Sequence, residues 1–376
     1  MSCILVRLFV VVLVIEKSTS SSRDDPTPSC PPHWSLLGGR CFAFYPVWSS
    51  WSVASSLCSQ TGGHLVSLHT PEDVQFVLQL ANSNVPVWLG GYQEQQNGSW
   101  FWSDGSSFRS SNWTNQEREK VEEGGACMEM DLKSGELNSA PCGELRFYIC
   151  STRASSASSV CSSSSSKKLL NSDIVPGVSL FDVVWSNNDL LAEETLMSSS
   201  FLGDLRDGRV TERRYSDFMQ QEALCLHRVG GTLEALIVNN PVEAGDMRSL
   251  LIDTLEQYNS RNQSLVDSPP PKWLQYSLQT LHSVVLEEPV YWLVALSARA
   301  GLRNYLAKRL LAEVKPPTSE SGLLYQEWSQ ESLKEAAWID RYKKVLEEHQ
   351  DQVDTYKAIN IFREHMVNQK SLYKYV

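Results

Sequence analysis

The chain has 376 residues, which exceeds the about 100 to 200 residues of one ordinary domain, so its length predicts two domains. Hydrophobic residues make up 42% of it and charged residues 20%, a globular composition that excludes a wholly disordered protein. The formal net charge of -11 lacks the basic excess that phosphate backbones attract, so we expect no nucleic-acid partner.

Residues 1–20 have the layout of a secretory signal peptide. A positive charge at Arg7 precedes an apolar run over residues 8–15, and small polar residues follow from Ser18. A membrane anchor is the alternative, but Glu16 ends the run well short of the about 20 apolar residues that span a bilayer. We therefore expect no membrane span, a short N-terminal linker over residues 21–29, and a secreted, extracellular chain with oxidised cysteines.

A serine-rich segment over residues 152–168 predicts a flexible linker, because it has too little apolar surface to offset the entropy of ordering it. It divides the chain into a cysteine-rich part, residues 30–151, and a helix-forming part, residues 169–376. Cys161 in the linker either pairs with Cys225 or forms a bond between chains that makes a disulfide-linked dimer. Three Asn-x-Ser/Thr triplets are candidate glycosylation sites of a secreted protein, at Asn97, Asn112 and Asn262.

Six cysteines fall within residues 30–151, and their number alone leaves the pairing open. They are Cys30, Cys41, Cys58, Cys127, Cys142 and Cys150. Between them we expect a short hairpin over residues 30–45, a helix over residues 51–58 and a second helix from Pro71. Aromatic and glycine residues follow in the segments 87–91, 100–105 and 112–113.

This order of cysteines and aromatic segments resembles the long form of the C-type lectin-like domain. The resemblance covers residues 30–151 and implies an α+β fold held by disulfides. It also implies three pairs, namely Cys30 with Cys41, Cys58 with Cys150, and Cys127 with Cys142.

Sugar-binding members of that family hold a calcium ion with two tripeptides, Glu-Pro-Asn or Gln-Pro-Asp and Trp-Asn-Asp, and an acidic residue near a cysteine. The matching positions here are residues 117–119, residues 137–139 and Gly125. The tripeptides keep ligand oxygens at Glu117, Glu119, Asn138 and Ser139, but the proline, the acidic residue and the aspartate are missing. Because calcium takes six to eight oxygens, we expect a degraded site, and we favour binding of a glycan or protein without calcium.

Residues 169–376 have the spacing of helices. Thr211 is the expected N-cap of a helix that follows a turn at Gly208, and apolar residues at three-to-four spacing predict a helix over residues 273–286. The segment 200–218 is similar to the helix-turn-helix that opens the heme oxygenase and TenA thiaminase superfamily, and residues 296–304 and 322–362 fall where its later helices lie. The resemblance implies an all-α, heme-oxygenase-like bundle.

The catalytic residues of that superfamily do not carry over. Glu193 stands where a heme oxygenase has its iron-binding histidine, and alanines replace the glycines of the distal helix in residues 294–300. The remaining histidines that are conceivable iron ligands are His227, His282, His349 and His365. Gln221 and Glu222 resemble a thiaminase Gln-Asp pair, but the late glutamate falls at Gln369. We therefore expect no catalysis and no heme.

Two functions follow from these features. The first is a secreted recognition protein whose lectin-like domain binds a carbohydrate or protein, with the helical domain as a second binding or assembly module. The alternative is a secreted heme or tetrapyrrole carrier, or an oxygenase-like enzyme, that the lectin-like domain directs to a surface.

Overall fold

The structure is a computed structural model that describes residues 28–94, 98–108, 126–155, 178–240, 242–243, 245–260, 271–313 and 320–375. The predicted signal peptide and Cys161 lie outside the described residues. The same holds for Asn97, Asn112, Asn262, Glu117, Glu119 and Gly125.

The cysteine-rich part folds around one sheet with two flanking helices. Its strands are β1 Ser35–Leu37, β2 Arg40–Ser49, β3 His64–Leu65, β4 Val87–Gln93, β5 Trp100–Trp102, β6 Ala126–Met130, β7 Leu137–Pro141 and β8 Arg146–Arg153. The strand order is β1-β2-β8-β4-β6-β7, with β3 paired to β8 and β5 paired to β4. The helices α1 Trp51–Gln60 and α2 Pro71–Leu80 confirm the two predicted helices, and Thr70 starts α2 through a capping box with Asp73.

Three disulfides hold this sheet, and they confirm the expected pairs. They join Cys30 to Cys41, Cys58 to Cys150, and Cys127 to Cys142. Cys225 is unpaired among the described residues and is 8% exposed. Burial raises the pKa of its thiol to about 11, so the sulfur is a neutral core group rather than a reactive thiolate.

The second part of the chain is helical where the structure describes it. Its helices are α3 Leu180–Ser186, α4 Asp189–Ser198, α5 Ser200–Arg206, α6 Glu212–Asn239, α7 Asp246–Asn259, α8 Lys272–Gln279, α9 Pro289–Glu313, α10 Glu320–Lys334, α11 Ala336–Glu348 and α12 Thr355–Tyr375. Thr211 is the N-cap of α6, as predicted. None of the helices in the described ranges is long and apolar enough to cross a membrane.

The helix predicted over residues 273–286 is shorter than expected. The α-helix ends at Gln279, and a 3₁₀ turn follows over Thr280–Ser283. An α-helix and a 3₁₀-helix both place residues three apart on the same face. The apolar stripe that continues through Leu281 and Val285 therefore does not distinguish the two helix types. The tighter turn carries His282, which contacts the sheet.

The sheet packs directly against the helical part through β2 and β8. The Trp48 indole N–H donates to the carbonyl of Arg228 over 3.0 Å, and the Arg228 guanidinium lies 4.2 Å from the centre of the Trp48 ring. The His282 ring stacks on Tyr45, with 4.3 Å between ring centres, and its Nδ1 shares a hydrogen bond with the Tyr148 hydroxyl. The buried apolar residues of both parts therefore form one continuous core.

A second contact joins the α2–β4 loop to the end of α6. The backbone N–H of Asn82 donates to Oδ1 of Asn239 over 2.8 Å, and Nδ2 of Asn239 donates to the carbonyl of Asn82 over 3.0 Å. This reciprocal pair fixes the rotation of one part against the other, since both bonds need a single orientation of the Asn239 amide.

Unfolding in acid tests the contact at His282. Burial lowers the pKa of His282 to about 4, and it lowers the pKa of His365 to the same value. A histidine in the unfolded chain has a pKa near 6.5. As the pH falls, the unfolded chain therefore takes up protons before the folded chain does. The stability that is present above pH 6.5 is lost progressively as the pH falls towards 4. We expect each histidine to account for up to about 3 kcal/mol of that loss.

Urea unfolding at a series of pH values between 7 and 4 measures this loss. The variant His282→Gln can retain a hydrogen bond to Tyr148 and does not titrate, so it is expected to lose less stability in acid than the unmodified chain. An unchanged pH profile in His282→Gln would show that the histidine is not buried at the interface.

Candidate functional site

Two of the predicted site residues, Asn138 and Ser139, lie on the hairpin formed by β6 and β7. β6 and β7 pair in antiparallel fashion, with Asn138 opposite Glu129 and Ser139 opposite Met128. The Asp131 carboxylate accepts the backbone N–H groups of Lys133 and Ser134 in the connecting turn, and these hydrogen bonds lower its pKa. With the Cys127–Cys142 bridge at the other end, the hairpin presents Asn138 and Ser139 half-buried on a fixed frame.

The acidic residue opposite Asn138 is already engaged. The Glu129 carboxylate accepts a hydrogen bond of 2.6 Å from Nε of Arg146, and the same guanidinium pairs with Glu144. A guanidinium at this position repels a divalent cation. Within the described ranges, no group of three or more His, Cys, Asp or Glu side chains is arranged to hold a metal.

An aromatic surface that the sequence did not reveal lies on β4, β5 and the first residue of α1. We define it as Trp51, Tyr92 and Phe101, with ring centres 5.6 Å apart between the first two and 6.1 Å apart between the last two. Tyr92 is 37% exposed and Phe101 is 41% exposed. The sequence did not reveal this surface because composition does not show which rings face solvent.

Strand pairing places this aromatic surface next to the β6–β7 hairpin. Phe101 pairs with Tyr92, Tyr92 with Cys127, and Cys127 with Ala140, so one row of partners crosses from β5 to β7. The backbone N–H of Trp51 also donates to the carbonyl of Cys142 over 3.0 Å. The exposed rings and the strand of Asn138 and Ser139 thus belong to one end of the sheet.

A Ser, His and Asp trio elsewhere on the domain does not have the geometry of a hydrolase. Ser67 donates to Asp104 over 2.5 Å and lies 3.0 Å from Nε2 of His69, so the aspartate contacts the serine instead of orienting the histidine. Ser67 is fully buried. Although burial alone raises the pKa of Asp104, hydrogen bonds from Ser106 and Ser67 outweigh it and lower the pKa. This trio is a structural hydrogen-bond network.

Glu193, at the position of the expected iron ligand, is bound within the helical part. Its carboxylate accepts a hydrogen bond from the Tyr305 hydroxyl and pairs with Arg309 over 3.2 Å. α3 and α9 are in contact beside it, because a Cβ placed on Gly301 would lie 3.0 Å from the Trp185 ring.

Glu222 belongs to a buried ion cluster instead of a thiaminase-like pair. Its Oε1 lies 3.1 Å from Nη2 of Arg299 and also pairs with Arg303, while Arg299 pairs with Glu335 over 3.0 Å. The coulombic attraction of these carboxylates outweighs burial and raises the pKa of both guanidinium groups. The two arginines and two glutamates balance in charge, which fits a structural role.

Comparisons with known proteins concern the cysteine-rich part. A family model described as "Lectin C-type domain" matches residues 48–152. The galactose-specific lectin nattectin of Thalassophryne nattereri is 34% identical over 128 residues, 33% of this chain and 80% of that protein. The type-2 ice-structuring protein of Hemitripterus americanus is 33% identical over 124 residues, 33% of this chain and 74% of that protein. Among solved structures, a calcium-independent type II antifreeze protein is 28% identical and covers 34% of this chain and 96% of its own, with a TM-score of 0.32.

Removing one carboxylate from the ion cluster tests its structural role. Glu222→Gln leaves the buried Arg303 with a weaker partner, and we expect it to lower the free energy of unfolding by about 3 to 5 kcal/mol, because an uncompensated buried charge is costly. Asp253→Asn is the control, since it breaks an exposed pair with Arg341 and is expected to cost less than about 1 kcal/mol. Urea denaturation of both variants gives the comparison, and equal losses would contradict a buried cluster.

Proposed function

The chain belongs to the C-type lectin family through residues 48–152, and from this membership we propose that it is a secreted recognition protein that binds a carbohydrate or protein ligand through residues 30–151. The aromatic surface is the observation that carries the proposal. Its rings are adjacent and partly exposed, and contiguous exposed apolar patches mark interaction sites more often than single exposed residues do. The faces of these rings suit the apolar C–H face of a sugar ring.

Binding in this proposal does not depend on a resident calcium ion. The Arg146 pairing of Glu129 supports this, as does the absence of the proline and the aspartate of the calcium-binding tripeptides. Tyr92 and Phe101 supply the contact area, and the side chain of Asn138, two residues from Ala140 in the same row of strand partners, supplies hydrogen bonds. Because nattectin is named a galactose-specific lectin, glycans that end in galactose are the first ligands to test.

The helical part, in this proposal, is a non-catalytic second module for binding or assembly, with the heme-oxygenase-like bundle as its fold. The engagement of Glu193 and Glu222 in ion pairs supports the absence of catalysis. The packing of Trp48 against Arg228 supports a recognition unit in which the helical part holds the sheet from behind.

A heme or tetrapyrrole carrier is the alternative. A cleft of about 580 Å³ lies beside Trp185, Tyr305 and Lys343, which is a volume typical of small-molecule sites. The described residues that line it include no histidine, cysteine or methionine, and Tyr305 is already bonded to Glu193. This lining disfavours an iron porphyrin.

A glycan array with and without a calcium chelator tests the recognition proposal. We expect galactose-ended glycans to bind the full chain equally well under both conditions. Tyr92→Ala and Phe101→Ala each remove exposed ring area and are expected to weaken binding about tenfold, or about 1.4 kcal/mol. Tyr276→Ala is the matched control, because Tyr276 is 68% exposed on α8. Loss of binding in chelator, with tight calcium binding that Asn138→Ala abolishes, would contradict the calcium-independent mode.

Titration of the full chain with heme tests the alternative. We expect no tight complex and no shifted Soret band beyond that of free heme. A tight complex that disappears on substitution of a single histidine among His227, His282, His349 and His365 would favour the carrier function instead.

A further inference from the structure

The cleft beside Trp185, about 580 Å³ in volume, has no ligand in the proposed function. The described residues that line it belong to α3, α9 and α11. None of them lies on the sheet, so the cleft is separate from the aromatic surface. Along α9, the lining residues Gly301 and Lys308 are two helical turns apart, which is about 10 Å of helix. The cleft therefore has room for an elongated small molecule.

Two adjacent aromatic residues supply apolar surface to the cleft. The rings of Trp185 and Tyr305 have centres 5.8 Å apart, and both residues are half-buried, so part of each remains exposed. The Tyr305 hydroxyl bonds to Glu193, and Trp185 stacks with Phe181 at 6.4 Å between ring centres. These contacts hold both rings in position. An aromatic side chain of a ligand can pack against them in the offset or edge arrangements that aromatic pairs prefer.

One end of the cleft has an excess of negative charge. Lys343 marks this end, since its Nζ lies 5.4 Å from the centre of the Phe181 ring, and a Cβ on Gly301 would lie 3.4 Å from the same ring. Lys343 pairs with Asp182 over 2.6 Å. Asp340 lies one helical turn before Lys343 on α11 and also lines the cleft, and its carboxylate has no ion pair or hydrogen bond with the described residues. Two carboxylates thus face one ammonium group at this end.

The opposite end, two turns along α9 from Gly301, has an excess of positive charge. Arg309 pairs with Glu193 there over 3.2 Å. Lys308 is exposed and lines the cleft beside Arg309, and its ammonium group has no ion pair or hydrogen bond within the part of the chain that the structure describes. Two cations thus face one carboxylate. A ligand that balances both ends carries a positive group at one end and a negative group at the other.

We propose that this cleft binds a short peptide of about three residues with free termini and an aromatic side chain. The amino terminus lies at Asp340, the terminal carboxylate lies at Lys308, and the ring packs on Trp185 and Tyr305. An extended tripeptide is about 10 Å long, because each residue adds about 3.3 to 3.6 Å, and this length matches the α9 wall from Gly301 to Lys308. The proposal rests on the proposed role of the helical part as a binding module and is independent of the aromatic surface on the sheet.

Isothermal titration calorimetry of the full chain with the tripeptide Gly-Phe-Gly tests the site. Three matched peptides each lack one feature. N-acetyl-Gly-Phe-Gly lacks the ammonium group, Gly-Phe-Gly amide lacks the carboxylate, and Gly-Ala-Gly lacks the ring. We expect each of the three to bind at least fivefold more weakly than Gly-Phe-Gly, because each loses one of the three contacts.

Variants that remove one charge identify which terminus lies at which end. Lys308→Met is expected to weaken Gly-Phe-Gly binding about fivefold and to leave binding of the amide unchanged. Asp340→Asn is expected to weaken Gly-Phe-Gly binding by a similar factor and to leave binding of the acetylated peptide unchanged. Lys272→Met and Asp217→Asn are the matched controls, since each removes an exposed charge outside the cleft and is expected to bind Gly-Phe-Gly like the unmodified chain.

Ala337→Trp blocks the cleft by placing a large ring on an exposed lining residue, and it is expected to abolish Gly-Phe-Gly binding. Because Lys308, Asp340 and Ala337 are exposed, their variants are expected to keep the unfolding temperature of the ligand-free chain. A ligand that binds only the folded chain raises its unfolding temperature, so Gly-Phe-Gly is expected to raise that of the unmodified chain but not that of Ala337→Trp.

Tyr92→Ala, on the sheet, is expected to bind Gly-Phe-Gly normally, so failure of this site and failure of the glycan-binding proposal are distinguishable. Absence of Gly-Phe-Gly binding, equal binding of the four peptides, or an equal loss for all four peptides in Lys308→Met or Asp340→Asn would each overturn the proposal.

Discussion

Trp48 lies between the sheet and the helical part, and the arrangement of these two parts depends on how its indole packs. The indole donates to the Arg228 carbonyl, the Arg228 guanidinium covers its ring, and only 9% of the residue is exposed. Beside it, His282 stacks on Tyr45. A lectin-like domain with this face uncovered would expose a row of aromatic rings to water, at a cost proportional to the apolar area. The helical part therefore covers apolar surface of the lectin-like domain, and the two parts share one core.

This packing determines which surface of the sheet remains available. The helices cover β2 and β8, whereas the exposed rings of Tyr92 and Phe101 lie on β4 and β5, beside the β6–β7 hairpin. The Cys127–Cys142 disulfide and the paired strands fix the backbone of this end of the sheet. A rigid platform reduces the entropy lost on binding, which suits recognition of a ligand by a few aromatic contacts.

The buried polar groups of the helical part are of two kinds. Arg299, Glu222 and Glu335 satisfy one another, so their burial is compatible with a stable core. Nε2 of His365 and Oγ1 of Thr232 have no such partner in the described residues. The difference separates charges that hold helices together from polar atoms whose hydrogen-bonding capacity the described residues leave unused.

The sequence by itself determined the three disulfide pairs through a family resemblance, the helix that begins at Pro71 and the N-cap at Thr211. Each of these depends on local residue types or on a recurring pattern of cysteines. Only the tertiary structure decided that Glu129 is paired with Arg146, that Tyr92 and Phe101 face solvent, and that His282 lies against the sheet. These features depend on contacts between residues far apart in the chain, such as Tyr148 and His282, and no local pattern of residues encodes which distant groups meet.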